Sequence, residues 1–263
     1  FIQKACIPKL PPLFLRRLSD KGIRIIYDVD DAVYLDKKDY SNVIASYADV
    51  ILCGNNVLKE YYSSFCNNCV FFPTVEKTDN YVDYRKNTFD KKIIGWIGSK
   101  VTIKNMELVV NPINNIINRH PEVSVHLISN EDEGYTDKIK NCKLIKWEKD
   151  KYISDVSKFT VGIMPLIDNE FNRGKCGFKL IQYLNMVKPV VASDVGVNSD
   201  IVSNNGFLAT TEEEWEQALE KLLFDVQVYE QCVYNIENTF FDRYSFELSG
   251  KRLFEILDNK EEM

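Results

Sequence analysis

One local pattern recurs along the chain and limits what it can become. An apolar run of a few residues is followed by a longer stretch in which apolar positions return every three to four residues. Val50-Ile-Leu-Cys53, Ile93-Ile-Gly-Trp-Ile97 and Val190-Val-Ala-Ser193 are the clearest such runs. Each is too short for a buried helix and apolar at successive positions, as a strand covered on both faces must be. Parallel strands need long crossovers, which helices supply. The chain is therefore expected to be α/β with parallel sheets. Strands are predicted over 23–27, 50–53, 70–72, 93–97, 123–128, 144–147, 160–164, 190–193 and 207–209. Helices are predicted over 12–20, 56–63, 103–119, 151–158, 175–187, 212–224, 226–238 and 245–258.

The rhythm lapses between Pro73 and Lys92, where a polar stretch without periodicity reads as a linker. Two Rossmann-like units follow: a partial unit over 1–74, a linker over 75–92 and a second unit over 93–240. A helix within 241–263 is expected to pack back on the first unit. Phe1-Ile-Gln3 reads as a strand already under way, so the first unit is expected to be incomplete.

Charge and cysteine usage narrow the function. A net charge of −6 argues against a general nucleic-acid binder, whose footprint is a basic face. No apolar run is long enough to span a bilayer and no signal peptide is recognisable. Seven cysteines in 263 residues do not form a secreted disulfide framework, so a reducing, cytoplasmic setting is expected. Cys66 and Cys69 have redox or zinc spacing, but no second pair or nearby histidine completes a metal site. His120 and His126 have no neighbouring nucleophile and read as structural.

The richest stretch runs from Gly174 to Asn198. Read as a helix from 175, it sets Lys175, Lys179 and Gln182 on one polar stripe. Lysines at a helix start oppose the helix dipole, so an anion such as a diphosphate would explain them where stability would not. A solvated lysine face is the alternative. The apolar run from Pro189 to Ser193 then ends in a polar loop holding Gly196, Val197 and Asn198. In open parallel sheets, ligands bind where such loops leave the carboxyl ends of strands.

Two further places carry chemistry. Gly95-Trp-Ile-Gly98-Ser99 closes a strand before a helix, allowing close backbone approach to a phosphate, and Lys104 follows in the helix. Asp28-Val-Asp30-Asp31 sets three carboxylates at another strand end, where like charges repel unless exposed, protonated or paired. A helix cap with an acidic first turn is the alternative reading of those aspartates. The same pattern also suits a metal-dependent phosphatase built on Asp28 and Asp30.

Together, Ile26-Tyr-Asp-Val-Asp-Asp-Ala-Val33, Ile94-Gly-Trp-Ile-Gly-Ser99 and Ile163-Met-Pro-Leu166 point further. So do Gly174-Lys-Cys-Gly-Phe-Lys-Leu-Ile-Gln-Tyr-Leu184, the run from Pro189 to Asn198, Asn205-Gly-Phe-Leu208 and Glu213-Glu-Trp215. With them the chain resembles the family-four, GT-B-type retaining glycosyltransferases over nearly its whole length. The resemblance implies a nucleotide-sugar donor and a glycan or lipid-linked acceptor in cell-surface polysaccharide synthesis. No cofactor and no metal ion is implied, because lysines supply the charge. A cytoplasmic enzyme, peripheral on the inner face of the membrane, is the expected setting.

The resemblance also assigns residues. Gly98, Ser99 and Lys104 fall where relatives meet the donor diphosphate, although many carry an Arg in place of Ser99. Gly174 and Gln182 fall where many relatives carry two glutamates, one for the sugar and one for the ribose. Lys175 and Lys179 would make up the lost positive charge. Gly196, Val197 and Asn198 match a loop whose amides face the sugar and phosphate. Asp30 stands where relatives place a His near the transferred sugar. The missing glutamates leave room for a third reading, a donor-binding module without turnover.

Overall fold

A computed structural model describes residues 1–3, 12–36 and 40–258. It contains two parallel sheets, each with helices around it. The first is built from β1 (Ile2–Gln3), β2 (Ile26–Val29), β3 (Val50–Cys53) and β4 (Cys69–Phe71), in that spatial order. Its core gathers Leu15, Tyr27, Val29, Ile44, Leu58 and Tyr62, all fully or nearly fully buried.

The second sheet holds β5 (Ile93–Ile97), β6 (Ser124–Ser129), β7 (Cys142–Lys146), β8 (Val161–Met164), β9 (Val190–Ser193) and β10 (Gly206–Ala209). Their spatial order is β10-β9-β8-β5-β6-β7, so the chain lays strands outward from β5 on one side and then returns to fill the other. That is the doubly wound arrangement, with the order reversing between β5 and β8. Two apolar cores cover its faces. One packs the helices Val110–Arg119 and Glu212–Phe224 against the sheet, and the other packs the helix Phe178–Asn185.

Strands β5 and β8 pair only at Ile94 with Val161 and Gly95 with Gly162. Large rings occupy the space beside both glycines: a β-carbon on Gly95 would sit 2.0 Å from the Phe159 ring, and one on Gly162 2.4 Å from Tyr183. Where the ladder ends, the buried Tyr183 hydroxyl accepts from the Ile97 amide at 3.0 Å and donates to the Ile163 carbonyl at 3.2 Å. A side chain thus replaces backbone pairing at the reversal.

Of the described residues, Phe1–Thr74 with Asp168–Cys176 form one compact unit, and Val75–Ile167 with the chain from Gly177 onward form the other. Residues 75–92, expected as a linker, belong to the second unit. Tyr81 is fully buried there, and Thr78 and Arg85 bond to Asn185 at 2.9 and 3.0 Å. The short helix Asp79–Val82 has only one buried side chain, too little to give the segment a helical period.

Three of the other boundary differences matter for the candidate residues. The strand expected at 23–27 starts at Ile26, because Ile23 is taken up closing the preceding helix: its amide reaches the Leu18 carbonyl at 3.0 Å past a left-handed Gly22. Asp28 consequently lies inside the strand. The helix expected over 103–119 is an α-turn, a 3₁₀ stretch and then a helix from Val110, with Pro112 in its first turn. The helix expected from 175 begins at Phe178. Gly177 before it has φ +72°, and a β-carbon there would meet Ile201 at 2.2 Å. A residue in the left-handed region breaks the helix, so Lys175 lies outside the helix that carries Lys179 and Gln182.

Candidate functional site

The second unit contains a cleft of about 690 Å³ at the carboxyl ends of β5, β6 and β7. Gly98 and Ser99 form one edge, Trp147 and Tyr152 another, and Lys179 and Gln182 enter from the helix that starts at Phe178. Open α/β sheets place ligands at such a position, beside the reversal of strand order.

Gly98 is glycine for a steric reason. A β-carbon would lie 2.4 Å from the Trp96 ring and 2.9 Å from the Lys179 side chain. Its absence lets Lys179 run across the end of β5, with its ammonium 5.6 Å from the centre of the buried Trp96 ring. Three residues along the same helix, Gln182 is almost completely buried at 7% exposure. Lys100 also lines the cleft, but its charge is held by Glu131 at 2.6 Å and Glu133 at 3.0 Å. That contact draws the Glu131 carboxyl below its usual range.

The far end of the cleft is aromatic and acidic. The Trp147 and Tyr152 rings lie nearly parallel, 6.1 Å apart, with Trp147 partly exposed. Glu76 lines the cleft beside Tyr152 and Gln182, and burial pushes its carboxyl above the usual carboxylate range. Tyr81 lies beneath them with its hydroxyl buried and no well-formed hydrogen bond. Its oxygen is nonetheless near Glu76, Tyr152 and Gln182, and burial pushes its ionisation far up.

The sequence-predicted residues divide among several places. Gly98, Ser99, Lys179 and Gln182 come together in this cleft. Lys104 does not line it; it is exposed on the 3₁₀ stretch, its carbonyl accepting from Tyr135 at 3.3 Å. Gly196, Val197 and Asn198 lie after β9, Gly196 with φ +62°, against the helix start at Gly177 and not among the cleft's lining residues. Asn198 is fully buried and donates to the Ser193 carbonyl at 3.0 Å.

Lys175 and Gly174 belong to the first unit. The Lys175 ammonium lies 4.2 Å from the centre of the Phe171 ring, and its carbonyl accepts from Asn55 at 3.0 Å. Gly174 packs on Ala32, leaving no space for the glutamate many relatives carry. Asp30 is half-buried in the same unit, its Cα 3.1 Å from where a β-carbon on Gly54 would stand. Asp28 accepts from Gln3 at 3.2 Å. Among the described residues, no group of three His, Cys, Asp or Glu side chains is disposed to hold a metal ion. The Cys66 and Cys69 thiols are unbridged and donate to backbone carbonyls, and His126 is held down to about 4 by burial.

Glu76, Trp147 and Tyr152 were not singled out by sequence. Glu76 sits in a polar stretch without period, and the aromatic pair follows the last strand on its side of the sheet.

Two Rossmann-like sheets of this kind define the GT-B architecture. The glycosyl transferases group 1 family matches residues 91–225, just over half of the chain, and the chain belongs to that family. Solved structures with a similar fold include HepE of Anabaena in complex with UDP and glucose, at TM-score 0.72 and 13% identity, covering 95% of this chain and 76% of that one. A mutant of S. aureus TarM, solved with fondaparinux, alpha-GlcNAc-glycerol and UDP, has TM-score 0.70 and 15% identity over 90% of this chain and 51% of its own. Sucrose-phosphate synthase of Thermosynechococcus elongatus has TM-score 0.69 and 13% identity over 94% and 70%. No curated protein matches the chain. Among the described residues, no helix is long and apolar enough to cross a membrane.

Proposed function

We propose that the cleft binds a nucleotide-sugar donor and that the protein transfers the sugar, with retention, in the manner of family-four enzymes. The observation that carries this reading is Lys179 stretched over the bare backbone of Gly98, at the strand ends beside the order reversal. A diphosphate there meets a cation and a backbone free of side chain, which suits an anion. Trp147 offers a planar base an aromatic face next to Tyr152. HepE and TarM were both solved with UDP, which supports a nucleoside diphosphate as ligand class.

In this reading the donor's bond to the diphosphate breaks while an acceptor hydroxyl attacks from the same face. The protein's main contribution is to hold the charge that develops on the leaving diphosphate. Lys179 does so, and no metal ion is required. Ser99, Lys104, Lys175, Gly196, Val197 and Asn198 are proposed to meet the donor as the resemblance implies. Asp30 is proposed as the carboxylate facing a sugar hydroxyl or the charge at the anomeric carbon. The acceptor is a glycan or a lipid-linked sugar of a cell-surface polysaccharide, reached by a cytoplasmic enzyme resting on the inner face of the membrane.

The test is a thermal-shift series with millimolar UDP, GDP and ADP, since a ligand that binds only the folded state raises its melting temperature. No shift with any of them would count against donor binding. Release of the nucleoside diphosphate from its sugar, with the product's anomeric configuration read by NMR, then tests transfer and retention. Binding without turnover would point to a donor-binding module, a reading favoured by the closed space at Gly174.

A further inference from the structure

We infer that Glu76 recognises the ribose hydroxyls of the donor, a role that falls to it because Gln182 is neutral and turned inward. The inference rests on the donor-binding reading of the cleft and names a residue from outside the motifs that led to it.

Four groups meet at this end of the cleft: Glu76, Tyr152, Gln182 and, beneath them, Tyr81. Gln182 is nearly buried and its amide lies beside the Tyr81 and Tyr152 oxygens, so it is engaged within the cluster. Tyr81 is fully buried, yet its hydroxyl has no well-formed hydrogen bond. Its oxygen lies near the Glu76 carboxylate and, unlike Glu76, does not line the cleft.

Glu76 has the properties such a ligand must match. The other carboxylate lining the cleft, Glu131, is neutralised by Lys100. Glu76 has no lysine or arginine paired with it among the described residues, and burial raises its pKa instead of a cation lowering it. A desolvated carboxylate accepts hydrogen bonds and donates none when ionised, so it calls for hydroxyl or amide donors and repels phosphate. A vicinal diol offers two O–H donors to its two oxygens. The position along the cleft agrees: Gln182 is three residues from Lys179, which puts the cluster about 4.5 Å along the helix axis from the proposed diphosphate site.

The experiment measures dissociation constants for UDP, GDP and ADP and for their 2′,3′-dideoxy forms, with the wild type, Glu76→Gln and Tyr81→Phe. For the base that binds, the wild type is expected to favour the ribose form by about tenfold or more. Glu76→Gln should cut that preference to about twofold while leaving affinity for the dideoxy form unchanged. Tyr81→Phe, with the carboxylate intact, should keep most of the preference. A full preference in Glu76→Gln, or equal weakening of both forms, would overturn the assignment while donor binding stands. If no diphosphate binds the wild type, the donor reading and this inference fall together.

Discussion

Gly174 lies against Ala32 so closely that a β-carbon on it would stand 2.5 Å from the alanine's own. Ala32 has no rotamer with which to yield, and its backbone nitrogen is 3.2 Å away. Gly174→Ala is therefore expected to destabilise the first unit by about 1–3 kcal/mol, as overpacking does. Urea unfolding checks it; an unchanged midpoint would show that the contact relaxes freely.

Tyr183→Phe removes the hydroxyl that bridges Ile97 and Ile163. The ring still fills the space beside Gly162, so the loss is the hydrogen bonds and the unsatisfied Ile97 amide. An expected cost of about 1–3 kcal/mol follows for such a buried orphan. Equilibrium unfolding of the pair of proteins reads it directly.

Lys188 is fully buried, donates to the Lys86 carbonyl at 2.8 Å and to Thr88 at 2.7 Å, and burial pulls its pKa down to about 7. The unfolded chain holds that proton up to the ordinary lysine range, so between about pH 7 and 10 it binds more protons than the folded state. Stability is then expected to rise across that window, by on the order of 2–4 kcal/mol from this residue, and to be penalised in full below it. In Lys188→Met the slope should disappear. A parallel pH dependence in both proteins would remove Lys188 as its source.

Lys179→Met keeps the side chain's length over Gly98 and deletes its charge. Nucleoside diphosphate binding should weaken about tenfold or more and lose part of its salt sensitivity, with melting temperature little changed in the absence of ligand. Calorimetric titration at two salt concentrations distinguishes this from a packing defect.

Much of the framework was legible because strands and helices answer to a period. Val50–Cys53, Ile93–Ile97, Val190–Ser193, Pro12–Asp20 and Glu212–Phe224 occupy the predicted residues, the last opened by a capping box between Thr211 and Glu214. Part of the candidate cleft is legible too, since Gly98, Lys179 and Gln182 sit in motifs next to regular elements. The helix is read as starting at Lys175 because the lysine spacing fits a helix, while one left-handed glycine two residues later breaks it. Glu76 and Tyr81 escaped because the segment that holds them is pinned by tertiary contacts, which leave no periodic trace.

The chain passes between its two compact units three times: after Thr74, after Ile167 and after Cys176. Neither unit is thus a continuous piece of gene. A fragment cut at residue 92 and ending at 240 would carry Asp168–Cys176 without the sheet they pack on, stranding the buried Asn172, Gly174 and Cys176 in water. Recombination between relatives would have to move this excursion together with the first unit, making residues 1–74 and 168–176 inherit as one.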